Sequence, residues 1–324
     1  MTIQDFRATP LPDRIIHALL EATQAYAEMD VLLNEYTENR PVLSHMLFAL
    51  DMYYSFYDLE PDIDKIYHSL FVSDKTSETG KAVETLKACM EFAKERALRI
   101  DVLTAGDLLR IDNAIKSADM ELPALEIPLL NVEQHVETMW SILHDFYDPQ
   151  QQYPLLLETA IACYRLLALP GWCNLSLQTL RILFSTVYQR DVSFSGLLRQ
   201  WILLTDPRTH ISFMNIEDVL VHILDVFRGM WTYTTALIRA LNQRNREIVH
   251  LVHTNFPQLA SASVDILLSE SLCIRNHDIS GVSPKTVIKY LKQLEQEKIL
   301  YSIKSGREIF YFNNLLADVL RQQI

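Results

Sequence analysis

Two sets of residues in this chain have the types and spacing that hold an anion. The first follows Leu169-Pro170-Gly171-Trp172-Cys173, where Asn174, Ser176, Gln178 and Arg181 offer amides, a hydroxyl and a guanidinium within one short stretch. One apolar helical pattern, Leu155, Leu156, Leu157, Ala160, Ile161, Tyr164 and Leu167, precedes them. A second, from Ser176 through Leu177, Leu180, Leu183, Phe184 and Val187 to Tyr188, carries them. Apolar residues on two sides of both segments predict buried central helices. The Pro-Gly pair ends the first, because proline removes a donor and disfavours helix at the residue before it. Asn174 or Ser176 can cap the second, and a helix start inside a bundle presents free N–H groups to a phosphate. The second set lies near the C-terminus. Lys285, Lys289 and Lys292 recur at i, i+4 and i+7, with Ser283, Thr286 and Tyr290 beside them and Lys304 and Arg307 in a following turn.

The central break resembles the loop of the Fic family, whose members transfer a nucleotide, usually AMP, to protein hydroxyl groups. That loop reads His-Pro-Phe-x-Asp-Gly-Asn-Gly-Arg-x-x-Arg between two buried helices. Here Arg181 falls in register with the closing arginine and Asn174 with the acid, while Pro170 stands at the histidine. Matching the proline instead puts Leu169 there. In neither register is there an imidazole to take a proton from an attacking hydroxyl. Leu175 and Leu177 replace glycines that let backbone approach phosphate, and asparagine is a weaker metal ligand than aspartate. The resemblance therefore implies a degenerate catalytic loop (Pro170, Gly171, Asn174, Ser176, Gln178, Arg181) with no catalytic residue, no metal ligand and no resident cofactor. In a divergent adenylyltransferase that kept the activity, Asn174, Ser176, Gln178 and Arg181 would hold ATP with magnesium.

The family's longer members carry an inhibitory motif in which Ser or Thr precedes, by four residues, a glutamate that pairs with the loop arginine. Ser55 lies five residues before Glu60, so the spacing departs from the motif. A Glu60–Arg181 pair and a solvated helix-end acid are both open. The preceding pieces Leu20-Glu21-Ala22, Asp30 and Pro41-Val42-Leu43 follow the same order as in the family.

The elements around these residues are helical. A chain of 324 residues with 49% hydrophobic content and only 7 glycines buries a large core and is poor in hairpin formers. Its formal charge of −12 argues against a protein that coats nucleic acid generally. Cys89, Cys163, Cys173 and Cys273 form no CxxC pair and read as reduced thiols of a cytoplasmic protein. No apolar run reaches membrane-spanning length and no signal-peptide core stands at the N-terminus. Helices are expected from a cap at Asp13 through Leu32, from Pro41 to Leu59, through Val83 to Ala93, and over Ala105 to Ala118 behind Thr104. Further helices are expected over Val132 to Tyr147 and, as one helix or two, over Ile216 to Leu241. His135 and His144 lack acids at ligand spacing and take surface or core roles. The segment Leu122 to Leu130 carries Pro123 and Pro128 and has no helical period; the resemblance places a target-binding flap there.

From Ser261 the pattern changes. Short elements at Val264 to Leu268 and Cys273 to Ile279 lead to a helix from Pro284 to Lys298, capped by Ser283 with proline at the first position. Alternating strands Ile299 to Ile303 and Glu308 to Phe312 then flank a turn at Lys304-Ser305-Gly306-Arg307. Helix, turn, helix and hairpin in this order resemble a winged helix-turn-helix, a tail that commonly follows a bacterial Fic domain. Between Ser283 and Phe310 six basic residues stand against three acidic ones. The fold class expected is all-α, a Fic-like helical bundle, with a small C-terminal α/β winged helix. The segments are N-terminal helices 1–75, a helical core 76–255 and the winged helix 260–324. Duplex DNA is the expected partner, through Ser283, Lys285, Thr286, Lys289, Tyr290, Lys292, Lys304 and Arg307. A protein ligand and a homodimer are compatible with the body.

Overall fold

The computed structural model describes residues 9–35, 40–55, 62–72, 77–100, 103–117, 132–146, 153–167, 179, 182–183, 215–255, 272–275 and 283–322. These residues are mostly helical, with one three-stranded antiparallel sheet near the C-terminus. They fall into two units, each discontinuous in sequence: Met1–Glu28 with Asp74–Thr232, and Met29–Ser73 with Tyr233–Ile324. Of the segments read from the sequence, 1–75 and 76–255 each contribute to both units, and 260–324 lies wholly within the second. Among the described residues no helix is long and apolar enough to cross a membrane.

The first unit contains α4 (Glu78–Ile100), α5 (Ala105–Ser117), α6 (Val132–Phe146), α7 (Leu155–Leu167), α1 (Asp13–Glu35) as far as Glu28 and α8 (Ile216–Asn255) as far as Thr232. Pro12 holds the first turn of α1, its carbonyl accepting from the amides of Ile15 and Ile16 at 3.0 and 3.1 Å. Asp13 is therefore the first helical residue rather than the cap, where its charge complements the positive end of the helix. The Ser77 hydroxyl accepts from the Gly80 amide at 3.0 Å, so Thr79 and Gly80 belong to the opening turn of α4, ahead of the expected start at Val83. Thr104 caps α5 as expected. Its hydroxyl accepts from the Asp107 amide at 3.1 Å, and the Asp107 carboxylate accepts from the Thr104 amide at 3.1 Å and from the Thr104 hydroxyl at 2.8 Å. This is a reciprocal capping box. Burial acts to raise the pKa of Asp107, but those bonds and Arg96, at 3.1 Å, hold it below its ordinary value.

α8 is a single helix of 40 residues. In the first unit it runs parallel to α1, with Arg14 on Asp218 at 2.9 Å, Glu21 paired to Arg228, and Tyr26 edge-on to the buried Trp231 at 5.1 Å. Ion pairs close the wet side of the seam and aromatics its dry side. Around α7 the core is continuous: Leu157, Ala160, Ile161 and Cys163 are at most 1% exposed. Burial raises the Cys163 thiol well above its ordinary pKa.

The second unit gathers the end of α1 from Met29, α2 (Arg40–Ser55), α3 (Ile63–Ser69), α8 from Tyr233, β1 (Cys273–Arg275), α9 (Pro284–Gln296), β2 (Leu300–Ser305), β3 (Glu308–Asn313) and α10 (Asn314–Arg321). The strands lie in the order β1-β3-β2. Ser305 pairs with Glu308 across a two-residue turn whose first residue, Gly306, has φ +59°. Glycine there matches the twist of the flanking strands, as tight hairpin turns require. Cys273, Ile274 and Arg275 pair with Phe312, Tyr311 and Phe310, so the element expected over Cys273 to Ile279 begins as a strand. Val264 to Leu268, the flap segment and Leu59 lie outside the described residues.

Candidate nucleic-acid interface

α9 is built as its sequence dictates. Ser283 caps it, the hydroxyl accepting from the Thr286 amide at 3.2 Å and meeting the Thr286 hydroxyl at 2.8 Å, and Pro284 occupies the first turn. Val287, Leu291 and Leu294 are each 1% exposed, which fixes the rotation of the helix. Its end is equally defined. The Ile299 amide donates to the Leu294 carbonyl and the Lys298 amide to the Glu295 carbonyl, both at 3.0 Å, with Lys298 at φ +61°. These are the paired bonds and left-handed residue of a Schellman ending, and the buried Ile299 and Leu294 supply its apolar contact. A hydrogen bond of 2.5 Å from the Ser302 hydroxyl to the Glu295 carboxylate ties α9 to β2.

With the apolar stripe inward, Lys285, Lys289 and Lys292 are exposed. Ile288, exposed at 36%, lies among them at i+3 from Lys285 and i−4 from Lys292. Lys304 and Arg307, on either side of Gly306, are exposed as well. Among the described residues none of these five cations forms an ion pair. Thr286 and Tyr290 are half-buried, and Thr286 is spent on the cap with Ser283. An unpaired cation on a rigid helix or hairpin end keeps its donors free for an oxyanion, with no ion pair to break first.

Beneath this surface lies a set of groups for which the sequence reading had no place. α3 opens with Asp62, whose carboxylate accepts from the amides of Asp64 and Lys65 at 3.0 and 3.4 Å. It carries Tyr67 and His68 against the sheet. The Tyr67 hydroxyl donates to the Leu272 carbonyl at 3.0 Å, and His68 Nε2 lies 2.8 Å from the Tyr301 hydroxyl. Phe312 stacks on Tyr301 at 5.4 Å and meets the rings of His68 at 4.7 Å and Tyr67 at 5.5 Å. Burial raises the pKa of both tyrosines and lowers that of His68. Arg321, at the end of α10, completes the join with Asp64 at 3.0 Å and Asp318 at 2.7 Å. The signal was present in the sequence: an aspartate cap followed by Ile63, Ile66, Tyr67 and Leu70 at helical spacing.

The other expected site falls outside what the structure describes: Pro170, Gly171, Asn174, Ser176, Gln178, Arg181 and Glu60 all lie beyond the described residues. Of the helix after the break, Thr179, Ile182 and Leu183 are described and buried, and the Thr179 hydroxyl donates to Asp112 at 3.0 Å. Among the described residues no group of three or more His, Cys, Asp or Glu side chains is placed to hold a metal ion. His144 is exposed and packs against the exposed Trp140 at 5.2 Å.

No family model matches the chain, and no curated protein matches it in sequence. Among solved structures, one described as a Fic family protein from Desulfovibrio desulfuricans G20 superposes with a TM-score of 0.49 at 11% identity. The match covers 94% of this chain and 97% of that one. A likeness at this level assigns no role to any residue.

Proposed function

We propose that the C-terminal part of the second unit is a winged-helix module that binds duplex DNA, and that the chain is a DNA-binding regulator whose helical body no longer transfers nucleotide. One observation carries the DNA reading. The solvent stripe of α9 presents Lys285, Lys289 and Lys292 without carboxylate partners among the described residues, in a chain of formal charge −12. A strand, a helix and a two-stranded hairpin in the sheet order β1-β3-β2, with Lys304 and Arg307 at the hairpin end, fit the same reading. α9 then lies in the major groove, its lysines on phosphates and its N-terminal residues Ser283, Lys285 and Thr286 nearest the bases. Ile288 supplies an apolar contact of the kind that meets a thymine methyl. The loss of transfer rests on sequence: neither Leu169 nor Pro170 accepts a proton.

Binding to duplex DNA, titrated against salt, tests the first half. Each phosphate contact removed lowers the slope of log affinity on log salt by about 0.9. The double variant Lys285→Glu/Lys289→Glu therefore loses affinity on every sequence and flattens the dependence. An unchanged affinity and slope in that variant refutes the interface. Incubation with labelled ATP and magnesium tests the second half. Label transfer that disappears in Arg181→Ala restores the enzyme.

A further inference from the structure

In the first unit, α4 and α5 enclose an open groove with a cavity of about 570 Å³, within the size range of small-molecule sites. Its floor is apolar, made by Ala88 and Cys89 of α4 and Ile111 and Ala114 of α5, with the Cys89 thiol 3.9 Å from the Ile111 carbonyl. At one end Arg110 lays its guanidinium over the Phe92 ring, 4.8 Å from the centroid. A guanidinium held over an aromatic ring keeps N–H donors of its fork for an oxyanion. Toward the other end of α4, Lys81 and Thr85 bring an ammonium and a hydroxyl to the lining. Among the described residues neither Lys81 nor Arg110 pairs with a carboxylate, although acids outnumber basic residues 41 to 29 in the chain.

Apolar floor, a guanidinium oriented by an aromatic ring and two unpaired cations together describe a ligand. We infer that the α4–α5 groove binds an organic anion with a flat apolar body. Its oxyanion head pairs with the guanidinium of Arg110, and its body covers Ala88, Cys89, Ile111 and Ala114. Lys81 adds attraction along the groove. Aliphatic and small residues there leave room for a planar body, and an arginine already held over Phe92 enters the complex with less ordering left to lose. The site is independent of the DNA reading and would stand if that reading fell.

Anilinonaphthalene sulfonate, an aromatic sulfonate whose fluorescence rises on binding, is the probe, titrated into the full chain. The expected result is saturable binding at one site per chain. Arg110→Gln weakens it about tenfold, the loss of a charged hydrogen-bonded head group, and Lys81→Gln weakens it less. Phenylnaphthylamine, the same ring system without the sulfonate, binds at least tenfold more weakly than the sulfonate. Ala88→Phe fills the groove from an exposed position and abolishes binding while the far-UV circular dichroism stays unchanged. Equal binding by Arg110→Gln and Ala88→Phe overturns the inference, as does phenylnaphthylamine binding as tightly as the sulfonate.

Discussion

Two sets of cations belong to the small sheet module of the second unit, and their surroundings are opposite. Arg321 is enclosed: its Nε donates to both Asp64 oxygens at 3.1 and 3.4 Å, and its Nη1 donates to Asp318 at 2.7 Å and Asn314 at 3.1 Å. It also faces the Tyr301 ring at 6.0 Å. Lys285, Lys289, Lys292, Lys304 and Arg307 have no such partners among the described residues. The same charge thus performs two tasks. A guanidinium shared by two carboxylates fixes where α3 and α10 lie, and ammonium groups facing water are available to something else. Residue type alone does not separate these roles; neutralisation by neighbours does.

The largest effect comes from breaking the enclosed region at its aromatic centre. Phe312 is fully buried between Tyr301, His68 and Tyr67, and Phe312→Ala costs about 3–5 kcal/mol in a urea titration. A cost below about 1 kcal/mol would mean that α3 and the sheet do not share a core. The exposed set answers differently. Lys285→Glu with Lys289→Glu leaves the urea midpoint within about 0.5 kcal/mol of the parent while DNA binding falls. Destabilisation of the same size as for Phe312→Ala would make those lysines structural and merge the two classes.

Next in size is Asp64→Asn, which removes one of the two carboxylates on Arg321. Both side chains are partly exposed, so the expected cost is about 1 kcal/mol. It should shrink in molar salt, and a cost insensitive to salt would point to lost packing instead of lost charge. Lys298→Gly works in the other direction. The left-handed backbone at Lys298 strains a side-chain-bearing residue and suits glycine, so the variant gains less than about 1 kcal/mol. A loss of stability would show that the Schellman ending of α9 depends on the lysine itself.

These two regions also differ in how far the sequence discloses them. α9 was legible because its cap, its proline and its apolar stripe are all local, and Ser283, Pro284, Val287, Leu291 and Leu294 take the places their spacing assigns. The hairpin was legible from alternation and one glycine. The left-handed turn at Lys298 was not, because lysine carries no signal for it. β1 was not either: Cys273-Ile274-Arg275 is too short to show alternation and is a strand only through its pairing with β3. α3 shows its cap and apolar spacing in the sequence, but what it packs against is tertiary. Tyr67 and His68 become partners of Leu272 and Tyr301 only after more than 200 intervening residues have been folded. Of the stretch from Asn174 to Arg181, read in most detail from sequence, Thr179 alone is among the described residues. The assignment of that stretch therefore still rests on chemistry, namely the missing imidazole and the leucines in place of glycines.

The finest test of the enclosed region uses protons. Burial lowers the pKa of His68 from its ordinary 6.5, although Asp64 and Asp62 act to raise it. Burial likewise raises that of Tyr301, so the pair 2.8 Å apart is neutral on both sides near neutral pH. An imidazole whose folded pKa is depressed binds fewer protons folded than unfolded as the pH falls below 6.5. Its contribution is therefore fully present above 6.5 and declines as the pH drops toward the folded value. Unfolding free energy measured from pH 7.5 down to about pH 5 should fall in the parent, and fall less steeply in His68→Gln, which keeps a polar group near Tyr301 without the titration. A parallel decline in both proteins would show that the acid sensitivity does not reside in His68, and would move the pH response away from the aromatic side of the join.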